Sequence, residues 1–357
     1  MLLTRRGALG ALSVATLTAL TACGRDAGAA DPNASSDLVG EIRGAGATSQ
    51  SDAQDAWMNT FMGANLRATV DYAGGGSGAG RTKFVEGAID FAGTDTPMTA
   101  DEIRRSGGAV ELPLYISPIA VAYNLPGFTG ESHVNMTGEV LAKVLSGAIT
   151  RWNDPALAAL NPGAALPDQR IIVVGRSDDS GTTKALTTYL ATVAPKAWPY
   201  EPEETWPLRG GQSGDGTAGM IQTVSAATGT IGYADASKVP ATLGTVAVGS
   251  NGAYVPVSAK AAAAALDAAT LGTEADETRL LYQPSHDAAG AYPIVLVSYL
   301  AARLRYDDAR IAAVVKAYLR FAASTRGQDA STKATGCAPI TRQMREKINA
   351  AIDKIAA

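Results

Sequence analysis

The stretch RIIVVGRSDDSGTTKAL, residues 170–186, sets the reading of this chain. It begins with an apolar run, passes one arginine and two aspartates, and reaches a Ser-Gly-Thr triplet that opens a segment with a helical pattern. A strand that ends in a polar turn and gives way to a helix is the repeating unit of an α/β fold. The turn allows two chemistries: Ser180 as a nucleophile, or a cradle for an anion. For the cradle, Arg176 is a planar fork suited to two oxygens of one tetrahedral ion, and Asp178, two positions on, is placed to hold its orientation. Ser180, Gly181 and Thr182 stand at the helix start, where hydroxyls and unpaired N–H groups converge and the helix dipole favours negative charge. A catalytic Ser180 needs a distant histidine or Lys184 as base, and nothing local supplies a proton relay. The cradle is the better-supported reading.

The same pattern recurs toward the N-terminus. GAGATS, residues 44–49, precedes a helical pattern carrying Trp57, Met58, Phe61 and Met62. Its glycines admit a ligand close to the backbone, and Thr48 and Ser49 fall where a helix's free N–H groups point outward; a plain capped turn reads the same residues without a ligand. AGGGSGAGRT, residues 73–82, nearly spells a phosphate-cradling loop, but Arg81 stands where that motif has lysine. What survives is a glycine-rich turn with Ser77 offering donors to a small anion. In IDFAGTDTPM, residues 89–98, Asp95 follows a strand. A carboxylate beside an anion site is repulsive unless the anion carries a proton, which the carboxylate then accepts. A surface Asx-turn is the alternative for any single aspartate.

Further out, ATVDYAG (68–74), LYISPIAVAYNL (114–125) and YPIVLVSYL (292–300) read as strands. TKFVEGA (82–88), DDARIAAVVKAYLRFAAS (307–324) and TRQMREKINAAIDKIAA (341–357) read as helices. The alternation implies an α/β fold with mostly parallel sheets. Residues 259–270, AKAAAAALDAAT, read as a surface helix, and His133 and His286 as loop residues. Trp152, Trp198 and Trp206 read as packing.

The chain has 357 residues, of which 46% are hydrophobic, enough for a sizeable core. Its first residues show Arg5 and Arg6, an apolar run and a small-residue site before Cys23, the layout of a secretory signal over 1–22. Leu20-Thr21-Ala22-Cys23 resembles a bacterial lipobox, which makes Cys23 a lipidation site. Residues 23–37 then form a flexible tether. Removing 1–22 takes Arg5 and Arg6 from the 30 basic residues and none of the 34 acidic ones, so the formal charge moves from −4 to −6. That argues against a nucleic-acid binder, which would show a basic face. Cys337 is the only other cysteine and is expected to be buried and inert. The two histidines lie far apart without ligand spacing, so no metal is expected.

Taken in order, GAGAT (44–48), YAGGGSGAG (72–80), IDFAGTDTP (89–97) and GRSDDSGTT (175–183) resemble the phosphate-binding proteins of phosphate-specific ABC transporters, the PstS type. The likeness extends through AVAYNLPG (120–127), SGAITRWNDPALAALNPGAALPDQRIIVV (146–174), TGTIGYADAS (228–237) and YPI (292–294), covering Gly44 to about Gln328.

The resemblance implies a two-lobed, periplasmic-binding-protein-like fold of type II, with each lobe a mixed sheet flanked by helices. Lobe I is expected over 38–114 plus 292–357 and lobe II over 115–291, with LYISPIAVAY and YPIVLVSY crossing between them. It implies phosphate contacts from Thr48, Ser49, Ser77 and Asp95 on one lobe. Arg176, Ser180, Gly181 and Thr182 come from the other, with Asp178 orienting Arg176. Ser49 replaces a phenylalanine common in the family, a change of little weight if the contact is its backbone N–H. The implied protein is no enzyme and needs no cofactor. It is a monomeric receptor, lipid-anchored through Cys23 outside the cell membrane, that passes inorganic phosphate to an ABC permease. The alternatives are the same fold binding sulfate or molybdate, a receptor serving sensing or adhesion, and a secreted serine hydrolase using Ser180.

Overall fold

Two long strands organise the molecule. The computed structural model describes residues 38–130, 132–250 and 252–357; the signal segment, Cys23 and the tether lie outside them. In chain order the elements begin β1 (Gly40–Gly46), α1 (Ser51–Ala64), β2 (Ala68–Gly74), α2 (Ser77–Val85), β3 (Phe91–Thr94), α3 (Ala100–Arg105) and β4 (Ala109–Tyr123). There follow β5 (His133–Met136), α4 (Gly138–Leu145), α5 (Pro155–Leu160), β6 (Ile172–Arg176), α6 (Gly181–Val193), β7 (Gln212–Gly214), α7 (Gly216–Ala226) and β8 (Thr230–Asp235). The remainder comprises β9 (Gly244–Ser250), β10 (Ala253–Val255), α8 (Ala259–Asp267), β11 (Thr270–Leu271), β12 (Tyr282–Gln283), β13 (Val295–Arg303), α9 (Ala309–Ala323), α10 (Thr325–Thr335) and α11 (Arg342–Asp353).

The main sheet runs β2-β1-β3-β13-β4-β8-β6-β7, with β9, β5 and β10 branching from β4. Its wings are parallel: β1 with β2 and β3 on one side, β6 with β7 and β8 on the other. The antiparallel pairs of that path all involve β4 or β13. The sheet is therefore mixed, because the strands crossing from one lobe to the other must return. All of β4 is buried, as expected of a strand covered on both faces.

Beside a small third cluster around Phe84, burial separates two large cores. One contains Ile42, Trp57, Phe61, Phe91 and Tyr318; the other Val121, Tyr123, Trp152, Trp198 and Tyr233. In α1 the buried side chains Ala53, Trp57, Met58 and Phe61 lie on one helical face, and the Trp57 indole donates to Gly327 O at 2.9 Å. The first core also takes in Ala262, Ala265, Leu266, Leu280 and Leu281, which fall inside the stretch expected in lobe II. A buried ion pair holds that segment: Arg279 Nε donates to Glu111 Oε2 at 2.5 Å and its Nη2 to Met98 O at 2.6 Å. Ala261 of α8 and Tyr292, Ile294 and Leu296 pack in the second core, so the stretch 261–296 touches both.

Three local expectations change. The 259–267 helix is no mere surface element, since Ala261, Ala262, Ala265 and Leu266 are buried. His133 opens β5, with Nδ1 at 2.9 Å from Thr245 Oγ1, and does not sit on a loop. Helix α10 went unread because TRGQDASTKAT is polar overall; Gly327, Gln328 and Ser331 form its buried face. Cys337 is free and buried, and burial raises its thiol pKa. Among the described residues no helix is long and apolar enough to cross a membrane.

Candidate functional site

The starts of several helices converge on the seam between the lobes. From the first lobe, β1 ends at Gly46, a short 3₁₀ turn covers Thr48–Gln50, and α1 follows. Gly46 has φ 142°, and a Cβ there would lie 2.0 Å from Gly93 O, so no side chain fits where β1 and β3 deliver their loops. Ser49 donates to Asp95 Oδ1 at 2.8 Å, with Oδ2 at 2.9 Å. Ser77, first residue of α2, accepts from the Asp95 N–H at 3.1 Å. The ends of β1 and β3 and the start of α2 thus form one cluster around Asp95.

A third strand completes it. The β4–β13 register shifts between Ser298 and Tyr299, next to Pro113, which has no N–H to give the ladder. At that irregularity Ser298 accepts from Gln50 Nε2 at 2.6 Å and donates to Asp95 Oδ1. A carboxylate has about four lone-pair sites. Ser49 and Ser298 fix the group and leave an acceptor position on Oδ2.

The second lobe brings Arg176 at the end of β6, its side chain only 2% exposed. Arg176 Nε donates to Asp178 Oδ1 at 2.7 Å and Nη2 donates to Oδ2, while Asp178 Oδ1 also accepts from Gly216 N at 3.0 Å. Burial opposes ionisation of Asp178, but Arg176 outweighs it and holds the carboxyl below its ordinary value. The Arg176 fork is thereby fixed in plane by a partner that is itself tied to α7.

Ser180 caps α6, its hydroxyl accepting from Thr183 N at 3.4 Å, and Thr182 is buried in the first turn. A Cβ on Gly181 would lie 2.1 Å from Asp95 Cβ. Only glycine lets α6 come this close to the other lobe. Thr48 Oγ1 meets Thr217 Oγ1, at the start of α7, across the seam at 3.3 Å.

Arg176 lies near enough to Asp95 for its charge to act on the carboxyl. Withdrawal from water pushes the Asp95 carboxyl up to about 6; Ser298, Ser49 and Arg176 pull it down, and Asp235 adds to the rise. At pH 7 the group is mostly ionised, an acceptor among donors. Among the described residues no cluster of His, Cys, Asp and Glu is arranged to hold a metal.

The structure brings Thr48, Ser49, Ser77, Asp95, Arg176, Asp178, Ser180, Gly181 and Thr182 to one seam. The Ser49 hydroxyl bonds Asp95, a contact that a phenylalanine could not make, and its backbone N–H is left for the expected contact. Sequence reasoning missed Ser298 and Thr217. SGDGTAGM, residues 213–220, carried a signal for Thr217, being another glycine-rich strand-to-helix turn. Ser298 carried none, because its position depends on the strand irregularity.

Comparison with known proteins gives a consistent set. A family model described as a PBP superfamily domain matches residues 31–326. Phosphate-binding protein PstS 3 of Mycobacterium tuberculosis (strain ATCC 25618 / H37Rv) is 33% identical over 378 residues, covering 100% of both chains. PstS 2 of the same strain is 32% identical, covering 98% of this chain and 99% of its own. Among solved structures, a high affinity periplasmic phosphate-binding protein (PfluDING) bound with phosphate has a TM-score of 0.70 at 21% identity, covering 87% of this chain and 93% of its own. A putative phosphate ABC transporter substrate-binding protein from Clostridium perfringens, with bound phosphate, has a TM-score of 0.60 at 19% identity, covering 84% and 100%. These two likenesses establish the fold.

Proposed function

We infer from the chain's membership of the PBP superfamily, and within it of the PstS phosphate-binding proteins, that it captures inorganic phosphate between its lobes and delivers it to an ABC import permease. The observation that carries the reading is an aspartate, Asp95, held by the Ser49 and Ser298 hydroxyls of its own lobe, with Arg176 of the other lobe near enough to favour its charged form. Such a site suits an oxyanion that keeps a proton at pH 7. Phosphate does; sulfate does not.

In the proposed complex Arg176 spans two phosphate oxygens. Backbone N–H groups and hydroxyls at the starts of α2 and α6, with those of the Thr48–Ser49 turn, take the remaining oxygens. Asp95 accepts the ligand's proton. Because the donors are divided between lobes, the ion makes its full set of contacts only when they close, and it shifts the population accordingly. No bond is made or broken, and Ser180 acts as a helix cap and donor.

Calorimetry tests this directly. Protein freed of ligand is expected to bind one phosphate per chain at pH 7, with an isotherm unchanged by a large excess of sulfate. Comparable heats for the two anions would assign the site to oxyanions in general and remove the role given to Asp95.

The receptor works outside the cytoplasm, held by lipid on Cys23 once residues 1–22 are removed; Leu20-Thr21-Ala22-Cys23 supports this. More than one acyl chain is needed for stable attachment. Intact-mass measurement of membrane-extracted protein is expected to show a chain beginning at an acylated Cys23, and an unmodified N-terminus elsewhere would refute the anchor.

A further inference from the structure

Arg81 is the residue that spoils the phosphate-loop motif, and the site described above does not use it. It lies one turn beyond Ser77 on α2, on the same helical face. Its guanidinium is shared among three side chains. Nε donates to Glu102 Oε1 at 3.1 Å and Nη1 to Thr94 Oγ1 at 3.2 Å, both on its own lobe. The opposite lobe supplies Glu204, which accepts from Nη1 at 3.0 Å and Nη2 at 2.8 Å, a two-pronged pair across the seam. Lysine has no planar fork and three N–H donors, one fewer than the four bonds Arg81 makes here.

Glu204 is joined to the site a second way. Its main-chain oxygen accepts from Ser180 N at 3.0 Å, at the cap of α6. One residue of the second lobe therefore grips α2 with its side chain and steadies the start of α6 with its backbone.

We propose that the Arg81–Glu204 pair is a latch that sets how long phosphate stays bound, by stabilising the closed lobes without touching the ion. The side chains are 10% and 17% exposed when closed, so the pair is not a screened surface contact. On opening, Glu204 loses its partner to water while Arg81 keeps Glu102 and Thr94. The contact exists only in the closed form, and its loss acts on the release rate and not on the stability of either lobe. A second pair across the seam, Lys238 with Asp52, is 28% and 41% exposed and contributes less.

The latch rests on the cleft being the phosphate site, and the test separates the two. Release of radiolabelled inorganic phosphate is timed by rapid mixing for the parent, Glu204→Gln, Arg81→Lys and Asp52→Asn. Glu204→Gln is expected to release phosphate at least about tenfold faster, with association within about twofold of the parent and ligand-free thermal unfolding unchanged. Arg81→Lys keeps the charge without the fork and falls between parent and Glu204→Gln. Asp52→Asn stays within about twofold. Phosphate binding by the parent with unchanged release from Glu204→Gln overturns the latch alone. No phosphate binding by the parent overturns the site and the latch together.

Discussion

Arg176→Met is expected to weaken phosphate binding at least a hundredfold while the protein stays folded. The guanidinium is buried, so its bonds to the ion are made away from bulk water, where truncating one member of a hydrogen-bonded charge pair costs roughly 2–5 kcal/mol. At about 1.4 kcal/mol per tenfold, that spans thirtyfold to several thousandfold in Kd. The variant also frees Asp178 from its partner and leaves a second negative charge near the ligand, which places the effect toward the upper end. Arg176→Lys keeps the charge but loses the fork, so about a tenfold loss is expected. Calorimetry at fixed ionic strength, with circular dichroism as the folding control, compares both variants with the parent. Binding by Arg176→Met within twofold of the parent would remove Arg176 from the site.

Asp95→Asn is expected to change what is bound more than how much. In the parent, sulfate brings no proton and meets a carboxylate at close range in a poorly solvated cleft, where juxtaposed like charges cost several kcal/mol. The amide removes that repulsion and turns donors toward the anion. The ratio of phosphate to sulfate affinity at pH 7 is expected to fall at least about a hundredfold, near 2.8 kcal/mol at 1.4 kcal/mol per tenfold. A ratio that stays at the parent's value would leave discrimination without a cause in Asp95.

The same residue gives a pH signature. Its folded carboxyl stands at about 6 against an ordinary value of 3.8, so between these the folded state binds a proton that the unfolded state does not. For the ligand-free protein this residue's unfavourable contribution is fully present above pH 6 and is relieved as pH falls toward 3.8. The parent minus Asp95→Asn difference in unfolding free energy is therefore expected to change in the parent's favour across that window. Phosphate binding runs the other way: as Asp95 takes up its own proton below about 6, the ligand's proton loses its acceptor.

Much of this was legible in the sequence, though unevenly. Strand β2 and helices α1 and α9 declare themselves by period, because each buries one face or stripe, and β6 by its apolar run. The turns at 44–49, 73–82, 89–98 and 175–183 mark the site, because each sets glycine and hydroxyl residues together at a strand end. Ser298 lies in a run of apolar strand residues, and nothing local distinguishes it from a core position. Arg81 was legible as a departure from a motif but not as a contact, since Glu204 is 123 residues away.

Local patterning was enough for the α/β class, the half-sites and the chemistry of each, because hydrophobic period, helix capping and side-chain charge act over a few residues. Where the half-sites meet is decided over the whole chain: the break in register at Ser298, the glycine at 181 that admits Asp95, and the bridge from Arg81 to Glu204 exist only once β4 and β13 have placed one lobe against the other. An ion pair across a seam depends on distance and on exclusion of water, and neither is written in any short stretch of residues.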